Sequence, residues 1–352
     1  MRTIMTLLLL GWLSAACAAD AAPAKGAFLG GVETEYPTWF KASFLDLRAD
    51  VGEAKVAGKR VLLLFTQDNC PYCHLLVTRN LAQRDIEHTL RTRFDVIRIN
   101  MWGDQEVTGL DGQRYTEKTF AAANKVQFTP TLLFLDENGE VVLRLNGYTP
   151  PARFKAALDW VANRDEHKQP FRDYVAGLEK TSAGDGKLMA EPYFKPLTDL
   201  RRKGKPAKPL AVFFEQKDCP DCVTLHARVL ADPEVRLQLA RFDDVQLDMW
   251  SREPIVTPSG EKTTVRDWAR QLDVKYAPSI VLFDASGHEV IRWESGFRVF
   301  HTAGMFDYVA SGADKTEPSF QRYLSARAEK IRESGRDVNI WRYADEPLKP
   351  AR

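Results

Sequence analysis

Four of the chain's five cysteines stand in two short segments, Cys70-Pro71-Tyr72-Cys73 and Cys219-Pro220-Asp221-Cys222. Two thiols three positions apart can close into a disulfide and reopen, so each segment has the makings of a dithiol redox site. The reactive form is the thiolate, and a cysteine with an unperturbed pKa near 8.5 is only about 3% ionised at neutral pH. A helix N-terminus raises that fraction, because its unsatisfied N–H groups and the positive end of its dipole favour the charged sulfur. Pro71 and Pro220 suit the first helical position, where their missing N–H costs no hydrogen bond. In that setting Cys70 or Cys219 attacks a substrate disulfide. Cys73 or Cys222 then attacks the mixed disulfide and releases the reduced product.

The flanking residues predict the elements such a site needs. Val61-Leu62-Leu63-Leu64-Phe65 and Leu210-Ala211-Val212-Phe213-Phe214 are apolar runs too short for helices and read as buried strands. Leu75, Leu76 and Leu81 after the first site, and Val223, Leu225, Val229 and Leu230 after the second, follow helical spacing. Each C-P-x-C therefore sits on a strand-to-helix turn. Farther on, Phe94 to Ile99 alternates like a strand, and Thr131 to Leu135, a turn at Asp136-Glu137-Asn138-Gly139, and Val141 to Leu145 read as a hairpin. The order per unit is helix, strand, C-P-x-C helix, strand, insert, helix, strand, strand, helix. It predicts an α/β fold with a central mixed sheet flanked by helices.

Sliding the sequence over itself by roughly 148 positions keeps far more than the cysteines in register. Pro37-Thr38-Trp39-Phe40-Lys41 answers Pro192-Tyr193-Phe194-Lys195, Met101-Trp102 answers Met249-Trp250, and Phe128-Thr129-Pro130 answers Tyr276-Ala277-Pro278. Asp159-Trp160-Val161-Ala162 answers Asp307-Tyr308-Val309-Ala310. We expect two homologous domains, residues 36–180 and 191–335, joined by a linker at 181–190 and followed by a tail at 336–352. The inserts Gly103 to Arg114 and Ser251 to Lys262 read as surface excursions or hairpins, and the two Met-Trp pairs as core.

With 352 residues, 44% of them hydrophobic, and 49 basic against 48 acidic side chains, the composition is that of ordinary globular material. A net charge of +1 argues against nucleic acid as a partner. The N-terminus differs: one positive residue at Arg2, an apolar stretch from Ile4 to Leu13, and Ala16-Cys17-Ala18 read as a secretory signal peptide over residues 1–18. The expectation is a soluble periplasmic protein. The alternative is lipid attachment through Cys17, against which Ser14 stands where a Leu is usual. Removal of Cys17 would leave only paired thiols in an oxidising compartment.

These features together resemble the thioredoxin superfamily, and more closely the SoxW-like exported thioredoxins, over nearly the whole chain and once per repeat. The resemblance rests on C-P-x-C after an apolar strand, a Thr-Pro or Ala-Pro step before the next strand, and the hairpin. It implies that Cys70, Cys73, Cys219 and Cys222 are catalytic. It also implies that Pro130 and Pro278 are cis, stack over the disulfides, and contact substrate together with Thr129 and Ala277. No cofactor is implied; the partners would be exported cysteine-containing proteins and a membrane electron-donor protein. The chain departs from common thioredoxins in having Asn69 or Asp218 before the first cysteine, and Leu64 or Phe213 where the family carries a buried acid. Proton handling must then use another group or water.

Tyr72 and Asp221 are the candidates for tuning the two sites. A carboxylate about 6 Å from the sulfurs repels a thiolate by roughly 0.7 to 3 kcal/mol, which predicts that the second site is the more reducing. His74 either supports the thiolate of the first site or lies on a solvated surface. A disulfide oxidase or isomerase would use the same cysteines, and a binding module with structural disulfides is the bland alternative, although so short a loop constrains little. Zinc is disfavoured because the pairs lie in separate domains, copper because no Met or His cluster accompanies them.

Overall fold

The computed structural model describes residues 24–179, 186–202 and 207–345. The expected signal peptide with Cys17, the first half of the linker, residues 203–206 and the end of the tail lie outside the described residues.

The described chain begins with a short strand, β1 (Phe28–Leu29), before the first domain proper. There α1 (Leu47–Val56) starts at Asp46, whose carboxylate accepts the Ala49 N–H. Strand β2 (Arg60–Thr66) is buried along its whole length, as expected of a central strand covered on both faces. It leads into α2 (Pro71–Leu75), a π-helical stretch over Leu76–Leu81, and α3 (Arg84–Arg93). Then follow β3 (Phe94–Asn100), the insert hairpin β4 (Glu106–Thr108) and β5 (Arg114–Thr116), α4 (Glu117–Ala123), β6 (Thr131–Leu135), β7 (Val141–Asn146), α5 (Pro151–Ala162) and α6 (Phe171–Glu179).

The second domain runs through β8 (Leu210–Glu215), α7 (Pro220–Leu225), a π-helical stretch over His226–Leu230, α8 (Pro233–Leu239) and β9 (Asp243–Asp248). It continues with the hairpin β10 (Pro254–Val256) and β11 (Lys262–Thr264), α9 (Val265–Gln271), β12 (Ser279–Phe283), β13 (Glu289–Trp293), α10 (Val299–Ala310), α11 (Phe320–Glu333) and β14 (Val338–Asn339). Both sheets have four strands and the same order, β3-β2-β6-β7 and β9-β8-β12-β13. The first pair in each is parallel and the other two are antiparallel.

Alternate residues of the central strands feed separate cores. Leu62 and Leu64 pack with Leu76, Ile86 and Phe154 beneath the C-P-x-C helix, whereas Val61, Leu63 and Phe65 pack with Leu47 and Phe120 on the other face. The second domain repeats this division through Ala211 and Phe213 against Val212 and Phe214.

One expected element is absent among the described residues. The reading placed a helix before the first strand of each unit, but residues 187–202 are extended and irregular, with Asp199 in an isolated bridge to Val256. The run from Lys203 to Pro209, rich in Gly and Pro, has the low helix propensity of a loop.

The domains are clasped together. Phe128 of the first domain is buried in the core of the second, its ring 4.6 Å from Trp293 and 5.6 Å from Phe320. Beside it the Gln127 side chain accepts from the Phe320 N–H at 2.9 Å and donates to the Pro318 carbonyl at 3.1 Å. Register-equivalent residues also meet: Asn146 donates to Glu294 at 2.8 Å, and the Ser295 hydroxyl donates to the Tyr148 carbonyl. Finally, β1 pairs in parallel with β14, joining the two ends of the described chain.

Candidate functional site

Each sulfur pair lies where a strand hands over to a helix. Cys70 is the N-cap of α2 and Cys219 the N-cap of α7, both with extended backbone, and Pro71 and Pro220 open the helices. Asn69 and Asp218, just before, have φ of 53° and 51°. Asn and Asp tolerate this left-handed region better than other side chains do, which accounts for the residue types there. The Cys73 N–H donates to the Cys70 sulfur at 3.1 Å, and the Cys222 N–H to the Cys219 sulfur at 3.1 Å. These are the orphan amides of a helix start aimed at sulfur. Both pairs are closed as disulfides with Cα–Cα distances of 5.2 Å.

Thr129-Pro130 and Ala277-Pro278 are the cis peptide bonds among the described residues. The Cys70 sulfur is 3.3 Å from the Thr129 hydroxyl and 3.6 Å from its carbonyl oxygen. Ala277 has no hydroxyl to offer the second site. Trp102 and Trp250, expected as core, pack against the cores and also donate their indole N–H at 3.0 Å to Gln67 and Gln216, bracing the loops ahead of both sites. Their neighbours Met101 and Met249 are core as expected.

The two tuning residues have different fates. Tyr72 is buried between the domains, 4.9 Å from the Trp341 ring and 5.4 Å from that of His301. Trp341, Tyr36 and Tyr148 close over the Cys70, Tyr72 and Cys73 group, and Cys70 is 2% exposed. Burial pushes the Tyr72 hydroxyl up, so it stays protonated. His301 is pushed down to about 3 by burial, with the Arg298 guanidinium adding to the effect; its imidazole is neutral near pH 7. A cavity of about 180 Å³ above Cys70 is walled by Thr129 and Tyr72 from one domain and Trp293, Ser295 and His301 from the other.

Asp221 is 54% exposed at its side chain, and Arg153 of the first domain reaches it at 3.1 Å. The same guanidinium holds Glu179 at 2.6 Å and lies 5.0 Å from the centre of the Tyr276 ring. Asp221, expected to tune the second-site sulfurs, thus has a cation beside it. A cation at 3.1 Å offsets the carboxylate's field, because Coulomb energy falls with distance and the two charges are opposite. Tyr72, Arg153, Asp221 and Pro278 line a second cavity of about 180 Å³ between the domains.

A polar group that sequence reasoning missed lies behind the second site. Leu64 and Phe213 are fully buried and apolar, but two residues beyond Phe213, on the same face of β8, stands Glu215, 0% exposed. One of its oxygens is 2.7 Å from His226 Nε2, and the other accepts from Gln246 at 2.9 Å. His226 Nδ1 is 3.4 Å from Glu191. Burial lowers the imidazole's affinity for a proton, yet Glu215 and Glu191 outweigh it and raise the His226 pKa above its ordinary value. Close by, burial pushes the Asp244 carboxyl up to about 7. The register-equivalent positions in the first domain are Tyr36, Thr66, Val77, Val96 and Arg98. The available signals were a Glu ending an apolar strand and a His one turn after Cys222.

The thioredoxin-like domain family matches the sequence twice, over residues 47–162 and 197–309. No curated protein matches it. Among solved structures, a thioredoxin-fold protein from Helicobacter pylori is 22% identical, covering 35% of this chain and 81% of its own, with a TM-score of 0.30. A thioredoxin from Thermus thermophilus is also 22% identical, over 39% of this chain and 87% of its own, at 0.28. The C-terminal domain of DsbD from Neisseria meningitidis is 16% identical over 35% and 92%, at 0.26. Two C-x-x-C pairs capping helices opposite cis-prolines are the equipment of a thiol–disulfide oxidoreductase, and with the double family match, the chain belongs to the thioredoxin-like family as a tandem of two such domains.

Proposed function

We propose that the protein is an exported disulfide reductase of the SoxW-like kind whose second site is the more reducing. The observation that carries this reading is the Glu191–His226–Glu215 group behind Cys219 and Cys222, of which His226 and Glu215 are buried. Two acidic side chains flank a single imidazole there, an excess of acidic groups that disfavours a thiolate. A dithiol whose thiolate is not stabilised gives up its electrons more readily, the opposite of the strongly oxidising members of this chemistry. The leader-like residues 1–18 support export, with exported cysteine-containing proteins as substrates and a membrane electron-donor protein as the source of reducing equivalents.

Equilibrating Cys70→Ser/Cys73→Ser and Cys219→Ser/Cys222→Ser variants against thiol redox buffers tests the reading. The second site should show the lower potential, and the chain should reduce insulin disulfides. A second-site potential equal to or above the first, or faster oxidation of a reduced substrate than reduction of an oxidised one, would overturn it.

A further inference from the structure

We propose that Glu215 and His226 form the proton-handling pair of the second site, taking the proton from Cys222 as it resolves the mixed disulfide, with Glu191 as the pair's outlet to solvent. The inference rests on the dithiol reading of that site and adds to it the residues that move its proton.

The geometry comes first. His226 follows Cys222 by four positions, and its backbone N–H donates to the Cys222 carbonyl. Both side chains are buried, at 2%, and residues four apart on one helix face have Cβ atoms about 5–6 Å apart. Glu215 lies on the sheet beneath that helix, four positions ahead of Cys219, and contacts the imidazole at 2.7 Å. The pair therefore lies between the C-P-D-C helix and the sheet. Glu191 is partly exposed and touches the other ring nitrogen, so a proton has a continuous route from Glu215 through the ring to the surface.

Every charged or titratable neighbour can be named. Gln246 on β9 donates to Glu215. Arg236 on α8 lies 3.5 Å from Glu191 and over the Tyr193 ring. Asp244 on β9 and Tyr193 complete the surroundings, and Phe194 packs on the imidazole at 5.8 Å. No cation other than His226 itself bonds Glu215 among the described residues. A buried carboxylate is costly to keep without a full countercharge, and nothing in the first domain requires one: Thr66 and Val77 fill the same positions with the same strand and helix around them.

The step balances as follows. Cys219 thiolate attacks the substrate disulfide, forming a Cys219–substrate bond and releasing one substrate thiolate. Cys222 S–H passes its proton to the Glu215–His226 pair, and the resulting thiolate attacks the Cys219 sulfur. The Cys219–Cys222 bond forms as the Cys219–substrate bond breaks. The second substrate thiolate leaves, and both leaving thiolates take protons from solvent. The dithiol has lost two electrons, the substrate disulfide has gained them, and the pair returns its proton through Glu191.

The test uses the full chain with Cys70→Ser/Cys73→Ser, so that only the second site reacts. The pre-reduced protein is mixed with a chromogenic aryl disulfide, and the two released thiolates are followed in rapid kinetics. Glu215→Gln keeps the shape and the hydrogen bond to His226 but cannot hold the proton. It should leave the first release at or above the parent rate, because a negative charge behind Cys219 is removed, and slow the second about 10²-fold near pH 7. It should also make the second release rise tenfold per pH unit up to the ordinary thiol pKa near 8.5. Glu215→Thr/His226→Val, which installs the first domain's residues, should show the same profile, and circular dichroism establishes that both variants are folded. A second release with parental rate and pH profile in either folded variant overturns the proposal while leaving the dithiol reading intact. Absence of both releases in the parent would overturn the dithiol reading itself.

Discussion

The two domains share sheet order, helix caps and cis-prolines, yet they surround their cysteines with opposite materials. The first site is roofed by aromatic rings, Tyr36, Tyr148 and Trp341, with Tyr72 wedged against His301 of the other domain. The second has an exposed Asp221 held by Arg153 in front and a Glu–His–Glu group behind. Duplication preserved the scaffold that places sulfur at a helix N-terminus. What diverged are the side chains that decide who can reach the sulfur and what charge it feels.

The largest test of this contrast is access. Cys219→Ser should remove more than about nine-tenths of disulfide reduction on a protein substrate, whereas Cys70→Ser should leave most of it, because the first site is closed by the second domain and the Trp341 segment. Insulin turnover reads this directly, and equal losses would erase the distinction. Next comes the clasp. Phe128→Ala should cost about 3–5 kcal/mol of interdomain packing and split denaturant unfolding into two transitions, while raising the alkylation rate of reduced Cys70. A single cooperative transition with an unchanged alkylation rate would mean the roof stands without it.

Acid should loosen the same roof by a smaller amount. His301 is held down to about 3 in the folded protein against an ordinary 6.5, so the unfolded or opened state binds the proton first as pH falls. Closure is unaffected above about pH 6.5 and weakens between there and about pH 3, by up to about 1.4 kcal/mol per unit. His301→Phe should flatten the pH dependence of Cys70 alkylation between pH 6.5 and 5, a window above the ordinary titration of carboxylates. Last, Arg153→Ala leaves Asp221 uncompensated. Since that carboxylate is more than half exposed and therefore screened, the second-site potential should fall by only about 10–20 mV. An unchanged potential would show that Asp221 does not reach the sulfurs electrostatically.

The scaffold was largely legible in the sequence because its causes are local. An apolar run before C-P-x-C, a proline at the first helical turn and an Asp/Gly hairpin each declare themselves within a few residues. Comparing the repeats supplied the duplication. Lys203 to Pro209 was legible as a loop from its Gly and Pro content, whereas the helix expected ahead of it, absent among the described residues, rested on the repeat comparison alone. The environment of the sites was not legible, because Arg153, His301 and Trp341 reach them across long sequence separations through packing between domains. Glu215 and His226 fall between these cases. Each departs from an apolar pattern that its repeat partner obeys, Val77 most plainly, but only the fold shows that the two departures touch.

The pairing of β1 with β14 links residues made at opposite ends of synthesis, and beside it the Ala27 N–H donates to the Asp337 carboxylate across 310 positions. At about 5–20 residues per second, a first domain that ends at Glu179 waits roughly 8 to 30 s before the segment carrying Trp341 exists. Throughout that interval Cys70 and Cys73 have a folded scaffold and the Tyr36 and Tyr148 part of their roof, but not Trp341. A newborn chain thus presents its first dithiol openly and withdraws it once the last strand is in place, so maturation itself decides when that site can be charged.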